Sequence, residues 1–82
     1  MTAVLVRYFA GARAAAGGVR EEEVSAHCLD DLLPVLSERH GERLAVVLKA
    51  ASFLVDGVAC HDRQAALAAG ATVDVLPPFA GG

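Results

Sequence analysis

Residues 29–40 carry the clearest helical stripe in this chain, and the strand-like runs around them must be arranged so that the stripe has something to cover. Leu29, Leu32, Leu33 and Leu36 fall at i, i+3, i+4 and i+7, which puts apolar side chains on one side of an α-helix. Asp30 and Asp31 sit in the first turn and Arg39 and His40 in the last, matching the helix dipole, and Gly41 suits the stop. Pro34 lies beyond the first turn and removes one backbone hydrogen bond, so a kink is expected near residues 30–33. Cys28 stands where a Ser or Thr would cap the helix, and a thiol caps poorly.

The flanking segments favour strands. Residues 3–9 are β-branched and aromatic, with Val4, Val6 and Tyr8 on one face and Leu5, Arg7 and Phe9 on the other. Residues 11–18 are Ala-rich and close with Gly17-Gly18, which suits a loop or a short helical turn. Residues 20–25 hold Glu21-Glu22-Glu23 before Val24. A solvated edge strand, whose charges block sheet-to-sheet aggregation, explains the three glutamates better than a metal or catalytic role. Residues 42–49 suit a shorter second helix with Leu44, Val47 and Leu48 on one side. Residues 52–60 suit a hairpin: Phe53-Leu54-Val55, the Asp56-Gly57 turn, then Val58-Ala59-Cys60. Residues 62–69 are connecting structure with at most one helical turn, and Gly70 leads into a last strand at 72–76. No linker or repeat interrupts this order, so residues 1–82 are expected to form one α+β domain. Its mixed sheet is covered on one face by the main helix, with the first and last strands parallel at the centre.

Several function classes are disfavoured. The 82 residues are 55% hydrophobic and 21% charged, a globular balance with enough apolar material for one modest core. The net charge of -3 and the scattered basic residues offer no stripe for nucleic acid. The longest apolar stretch, residues 44–55, is broken by Lys49 and Ser52 and is too short to span a membrane. The opening residues lack the basic region of a signal peptide, so a cytoplasmic location is expected. Cys28 and Cys60 each adjoin a histidine, His27 and His61, but such spacing is unlike that of structural zinc ligands, and no metal site is expected. A disulfide is disfavoured in a reducing compartment, and a Cys–His catalytic pair lacks any suggestion of an oxyanion hole.

The functional signal lies at the other end. Val73-Asp74-Val75-Leu76 passes into Pro77-Pro78-Phe79-Ala80-Gly81-Gly82. The prolines stiffen the exit from the strand, Phe79 offers an apolar anchor, and Gly81-Gly82 carry no side chains at the tip. Together they describe a projecting arm, residues 77–82, whose slim carboxylate can be threaded into another protein and chemically changed there.

Three segments carry a family resemblance: Val6-Arg7-Tyr8-Phe9-Ala10-Gly11-Ala12-Arg13, Phe53-Leu54-Val55-Asp56-Gly57, and the terminus from Leu76 to Gly82. Through them the whole chain resembles the family of molybdopterin synthase small subunits, ubiquitin-like sulfur carriers of the MoaD/ThiS type with the β-grasp fold. The resemblance implies that an adenylating enzyme related to ubiquitin activators uses ATP to form an acyl-adenylate on Gly82. Sulfur then replaces AMP, giving a thiocarboxylate that donates to cyclic pyranopterin monophosphate inside the large synthase subunit. It further implies a heterotetramer of two small and two large subunits, no bound cofactor, and no catalysis by the small subunit alone. Pro77, Pro78, Phe79, Ala80 and Gly81 would contact the partner. Arg13 could contact a partner or neutralise a loop, and the structural role is favoured. Three alternatives stay open: a carrier for thiamine thiazole or cysteine synthesis, a protein modifier that forms isopeptides, and a passive binding module.

Overall fold

The computed structural model describes residues 2–78. Its elements follow the chain as β1 (Ala3–Tyr8), α1 (Gly11–Ala15), β2 (Glu21–Ser25), α2 (Leu29–His40), α3 (Glu42–Ala50), β3 (Ser52–Val55), β4 (Val58–Ala59) and β5 (Thr72–Leu76). The strands form one mixed sheet in the order β2-β1-β5-β3-β4. The last strand of the sequence is therefore the middle strand in space. It pairs in parallel with β1, as the order of elements suggested, and antiparallel with β3.

Alternation along the strands sorts the side chains. Val4, Val6 and Tyr8 of β1 and Val73 and Val75 of β5 are buried, together with Val24 and Phe53. They meet Leu29, Leu32 and Leu36 of α2 and Leu44 and Leu48 of α3, all buried, in one core. Leu33, the fourth leucine of the helical stripe, is only partly buried and packs at the margin. Helix α2 continues unbroken through Pro34, which is exposed and therefore has room for its ring. Cys28 makes no side-chain capping bond at the start of α2. Residues 62–69 form turns and extended chain instead of a helical turn. Their backbone is held to the neighbouring segment: Asp30 N donates to Arg63 O at 3.0 Å and Leu67 N to His27 O at 2.7 Å. The hairpin turn has positive φ at both Asp56 (51°) and Gly57 (84°), the geometry that makes Asp-Gly so effective between two strands.

The edge strand β2 is anchored by one of its three glutamates. Glu21 and Glu23 are exposed, whereas Glu22 turns toward the core side with Val24. The Tyr8 hydroxyl donates to Glu22 Oε2 at 2.6 Å, Arg39 Nη1 donates to Oε1 at 2.8 Å, and the His40 ring contacts Oε2. The rings of Tyr8 and His40 meet edge to face at 5.7 Å. Burial opposes ionisation of Glu22, but the bonds from Tyr8, His40 and Arg39 outweigh it and hold the carboxyl below its ordinary range. Burial, reinforced by the carboxylate, pushes the Tyr8 hydroxyl far above its ordinary value. Arg39 and His40 thus do more than balance the helix dipole; they bind the end of α2 to the sheet edge.

Two outcomes are expected from this packing. Because folding lowers the Glu22 pKa, its stabilisation is present above the unfolded value of about 4.3 and is lost as pH falls through the folded value. Glu22→Gln should cost about 1–3 kcal/mol at pH 7. It should also flatten the acid limb of the stability profile measured by urea unfolding; an unchanged acid limb would mean that Glu22 is not the titrating group. Pro34→Ala restores an N–H to the interior of α2 and should raise stability by about 1–3 kcal/mol. A fall in the urea midpoint would show that the helix depends on the ring.

Candidate functional site

The exit from β5 toward the C-terminus is set by the strands on either side of it. Tyr8 and Phe53 are both register partners of Val75, and Ser52 is opposite Leu76. The Phe9 amide, one residue beyond β1, donates to Val75 O at 3.3 Å. The chain is therefore held on both flanks to the end of β5 before it reaches Pro77, which is half-buried, and Pro78, which is exposed. The prolines occupy the exit, as their place in the sequence implied. Phe79, Ala80, Gly81 and Gly82, the remaining candidate site residues, lie outside the described residues.

Beside this base lies an ion pair on the sheet face opposite the helices. Arg7 and Asp74 are register partners in the parallel β1–β5 pair. Arg7 Nε donates to Asp74 Oδ1 at 2.7 Å and Nη2 to Oδ2 at 3.2 Å, a two-pronged grip. The bond from Asp74 strengthens the hold of Arg7 on its proton. The Asp74 side chain is 10% exposed against 44% for Arg7, so a buried carboxylate is served by a cation that still reaches solvent. The same guanidinium lies 5.4 Å from the centre of the Phe9 ring. Register places Leu5, Leu54 and Leu76 on this face around the pair, each half-buried. The result is a mixed apolar and charged surface beside the exit from β5.

Two concavities flank the exit. On the β1 side, Arg7, Phe9, Arg13, Arg20 and Glu21 line a notch of about 210 Å³. Arg13 Nε donates to the Tyr8 carbonyl at 3.3 Å, which ties α1 to the end of β1 and fits the structural role expected of it. On the β3 side, Ser52, Phe53, Cys60, His61 and Arg63 line a cleft of about 230 Å³. Cys28 and Cys60 are both free thiols, and Cys60 Sγ donates to Asp62 O at 3.4 Å. Among the described residues, no group of three or more His, Cys, Asp and Glu side chains could hold a metal ion. No described helix is long and apolar enough to cross a membrane.

The Arg7–Asp74 pair and the Glu22 cluster are absent from the reading of the sequence. A signal for the first exists: Asp74 interrupts the apolar Val73-Val75 pair of a central strand, which demands a partner charge. The partner becomes visible only once the parallel register is known.

Comparison with known proteins gives the same fold. The chain superposes with a TM-score of 0.78 on a Pyrococcus furiosus protein described as molybdopterin converting factor, subunit 1, at 26% identity over 96% of this chain and 100% of that one. Small archaeal modifier protein 1 from Methanosarcina acetivorans gives 0.85 at 23% identity, over 100% and 98%. A chain of the Amycolatopsis orientalis BexX/CysO complex gives 0.76 at 20% identity, over 96% and 99%. These folds are of the ubiquitin-like β-grasp type. No curated protein matches the sequence. The ThiS family model matches residues 6–82, nearly the whole chain including the terminal Gly81-Gly82, and the protein belongs to the ThiS family of ubiquitin-like, MoaD/ThiS-type sulfur carriers.

Proposed function

We propose that this chain is the sulfur-donating small subunit of a molybdopterin synthase, and that Gly82 is the atom-carrying residue. The observation that supports the reading most strongly is the join between a doubly paired central strand and the sequence Pro77-Pro78-Phe79-Ala80-Gly81-Gly82. A rigid root followed by a slim terminus is what delivery of a carboxylate into a partner's active site requires. The prolines limit the conformations of the arm and so lower the entropy lost on insertion. Phe79 supplies apolar area for the mouth of the partner's tunnel, and Ala80, Gly81 and Gly82 keep the tip narrow.

The chemistry follows from the terminus. A carboxylate is a poor electrophile until an oxygen becomes part of a good leaving group. An adenylating enzyme attaches AMP from ATP to Gly82, with release of pyrophosphate. A sulfur donor such as a persulfide attacks the acyl carbon, AMP leaves, and the terminal thiocarboxylate remains after the donor's sulfur–sulfur bond is reduced by a thiol. The thiocarboxylate sulfur then acts as nucleophile toward cyclic pyranopterin monophosphate in the large subunit, within a two-plus-two heterotetramer. Acid and base catalysis falls to the partners, because residues 77–82 contain no titratable side chain. The chain itself is a carrier whose domain presents the arm. Pathway choice rests on Pro77-Pro78-Phe79, which resembles the molybdopterin branch more than the thiamine or cysteine branch. The likeness to a modifier protein makes isopeptide formation the second reading.

Incubation with a cognate adenylating enzyme, ATP and a sulfur source should raise the intact mass by the exchange of one oxygen for sulfur, localised to Gly82 and absent without ATP. An unchanged mass, with that enzyme active on its known carrier, would count against the reading. Gly81→Val should abolish transfer while leaving the thermal midpoint unchanged. Retained transfer would remove the requirement for a narrow tip.

A further inference from the structure

Lys49 is the sole lysine among the 82 residues, and its place is distinctive. It lies in the last turn of α3, exposed, at the rim of a groove of about 240 Å³ between α2 and α3. Leu33 and Pro34 of α2 and Ala45 and Leu48 of α3 line the groove, with Arg63 as a second cation at the rim and no carboxylate among the lining residues. Arg63 is positioned by the Phe53 ring, 5.7 Å from its guanidinium carbon.

We propose that Lys49 is an acyl-acceptor site for the C-terminus of a second copy of this chain. The groove and the terminus complement each other. The segment Pro77-Pro78-Phe79-Ala80-Gly81-Gly82 offers an aromatic ring for an apolar groove, followed after three small residues by an anion for Arg63, which lines the same groove as Lys49. That anion can be a carboxylate, a thiocarboxylate or the phosphate of an acyl-adenylate. When Gly82 is activated, the neutral Lys49 amine attacks its carbonyl carbon. The carbon–nitrogen bond forms, the bond to AMP or to a thiolate breaks, and the amine's proton passes to solvent. No electrons are exchanged, and ATP consumed by the activating enzyme supplies the driving force. The product is an isopeptide-linked pair of carriers, in which one chain keeps a free Gly82. The inference rests on Gly82 being the activated terminus, as proposed above.

The test bypasses the activating enzyme, so its failure is distinct from a failure of the sulfur-carrier reading. A Lys49→Arg donor is prepared as its Gly82 thioester by cleavage of a fusion with 2-mercaptoethanesulfonate, whose sulfonate keeps an anion beside the reacting carbonyl, and mixed with the wild-type chain and with Nα-acetyl-lysine amide as competitor. Tandem mass spectrometry should locate the amide between donor Gly82 and acceptor Lys49. Acylation of Lys49 should exceed that of the free lysine by at least about tenfold at equal concentration, as expected for a docked donor. Phe79→Ala in the donor should remove most of that preference. Equal rates for Lys49 and free lysine, or an adduct on the amino terminus in place of Lys49, would overturn the proposal. Cyclisation of a wild-type thioester onto its own Lys49, faster than transfer to a second chain, would also overturn it and assign the groove to the chain's own arm.

Discussion

The parallel pairing of β1 with β5 is the contact on which the rest of the molecule depends. It joins Leu5–Tyr8 to Thr72–Val75 across almost the whole length of the chain. Everything between has to fold back as a single excursion, and the entropy of closing so long a loop is offset only when both strands bury their inner faces. They do so through Val4, Val6, Tyr8, Val73 and Val75, all of which face the leucines of α2 and α3. Remove that pairing and the sheet divides into two pieces, β2-β1 and β5-β3-β4. Pro77 and Pro78 would then no longer follow a strand held on both flanks.

The two polar clusters reinforce this centre from opposite faces. Arg7 and Asp74 lock the pair on the open face, where a carboxylate in a central strand would otherwise lack a counter-charge. Glu22 works on the helix-covered side, gathering Tyr8 of β1 and the end of α2 onto the outermost strand. One cluster secures the register of the middle strands, and the other keeps the edge from peeling. In both, Arg reaches the solvent while the acid is drawn inward, so the cost of burying a carboxylate is met by a cation that remains partly hydrated.

Most of the architecture was legible in the residues. The leucines at helical spacing identify α2 to its ends, Asp56-Gly57 marks the hairpin, and the order of elements points to parallel central strands. The exceptions share a cause. Glu21-Glu22-Glu23 looks uniform along the sequence, yet strand pleating sends the middle residue to the opposite face, where three donors await it. Arg7 and Asp74 are separated by 67 positions, so no local pattern connects them. The Ala-rich segment at residues 62–69 has helical composition but extended and turning backbone, because bonds such as Leu67 N to His27 O bind it to neighbouring chain. At the candidate site, the family was legible from the terminal motif and the two internal segments, while the ion pair beside the exit from β5 required the fold.

The central position of β5 also has a mechanical meaning. A force applied to the chain beyond β5 enters the sheet at Leu76 and runs along the strand, across the hydrogen bonds that join it to β1 and β3. Both ladders resist such a pull in shear, with their bonds loaded together, whereas a strand peeled from an edge would yield one bond at a time. A pull on the chain beyond Leu76 therefore loads the β1 and β3 ladders together.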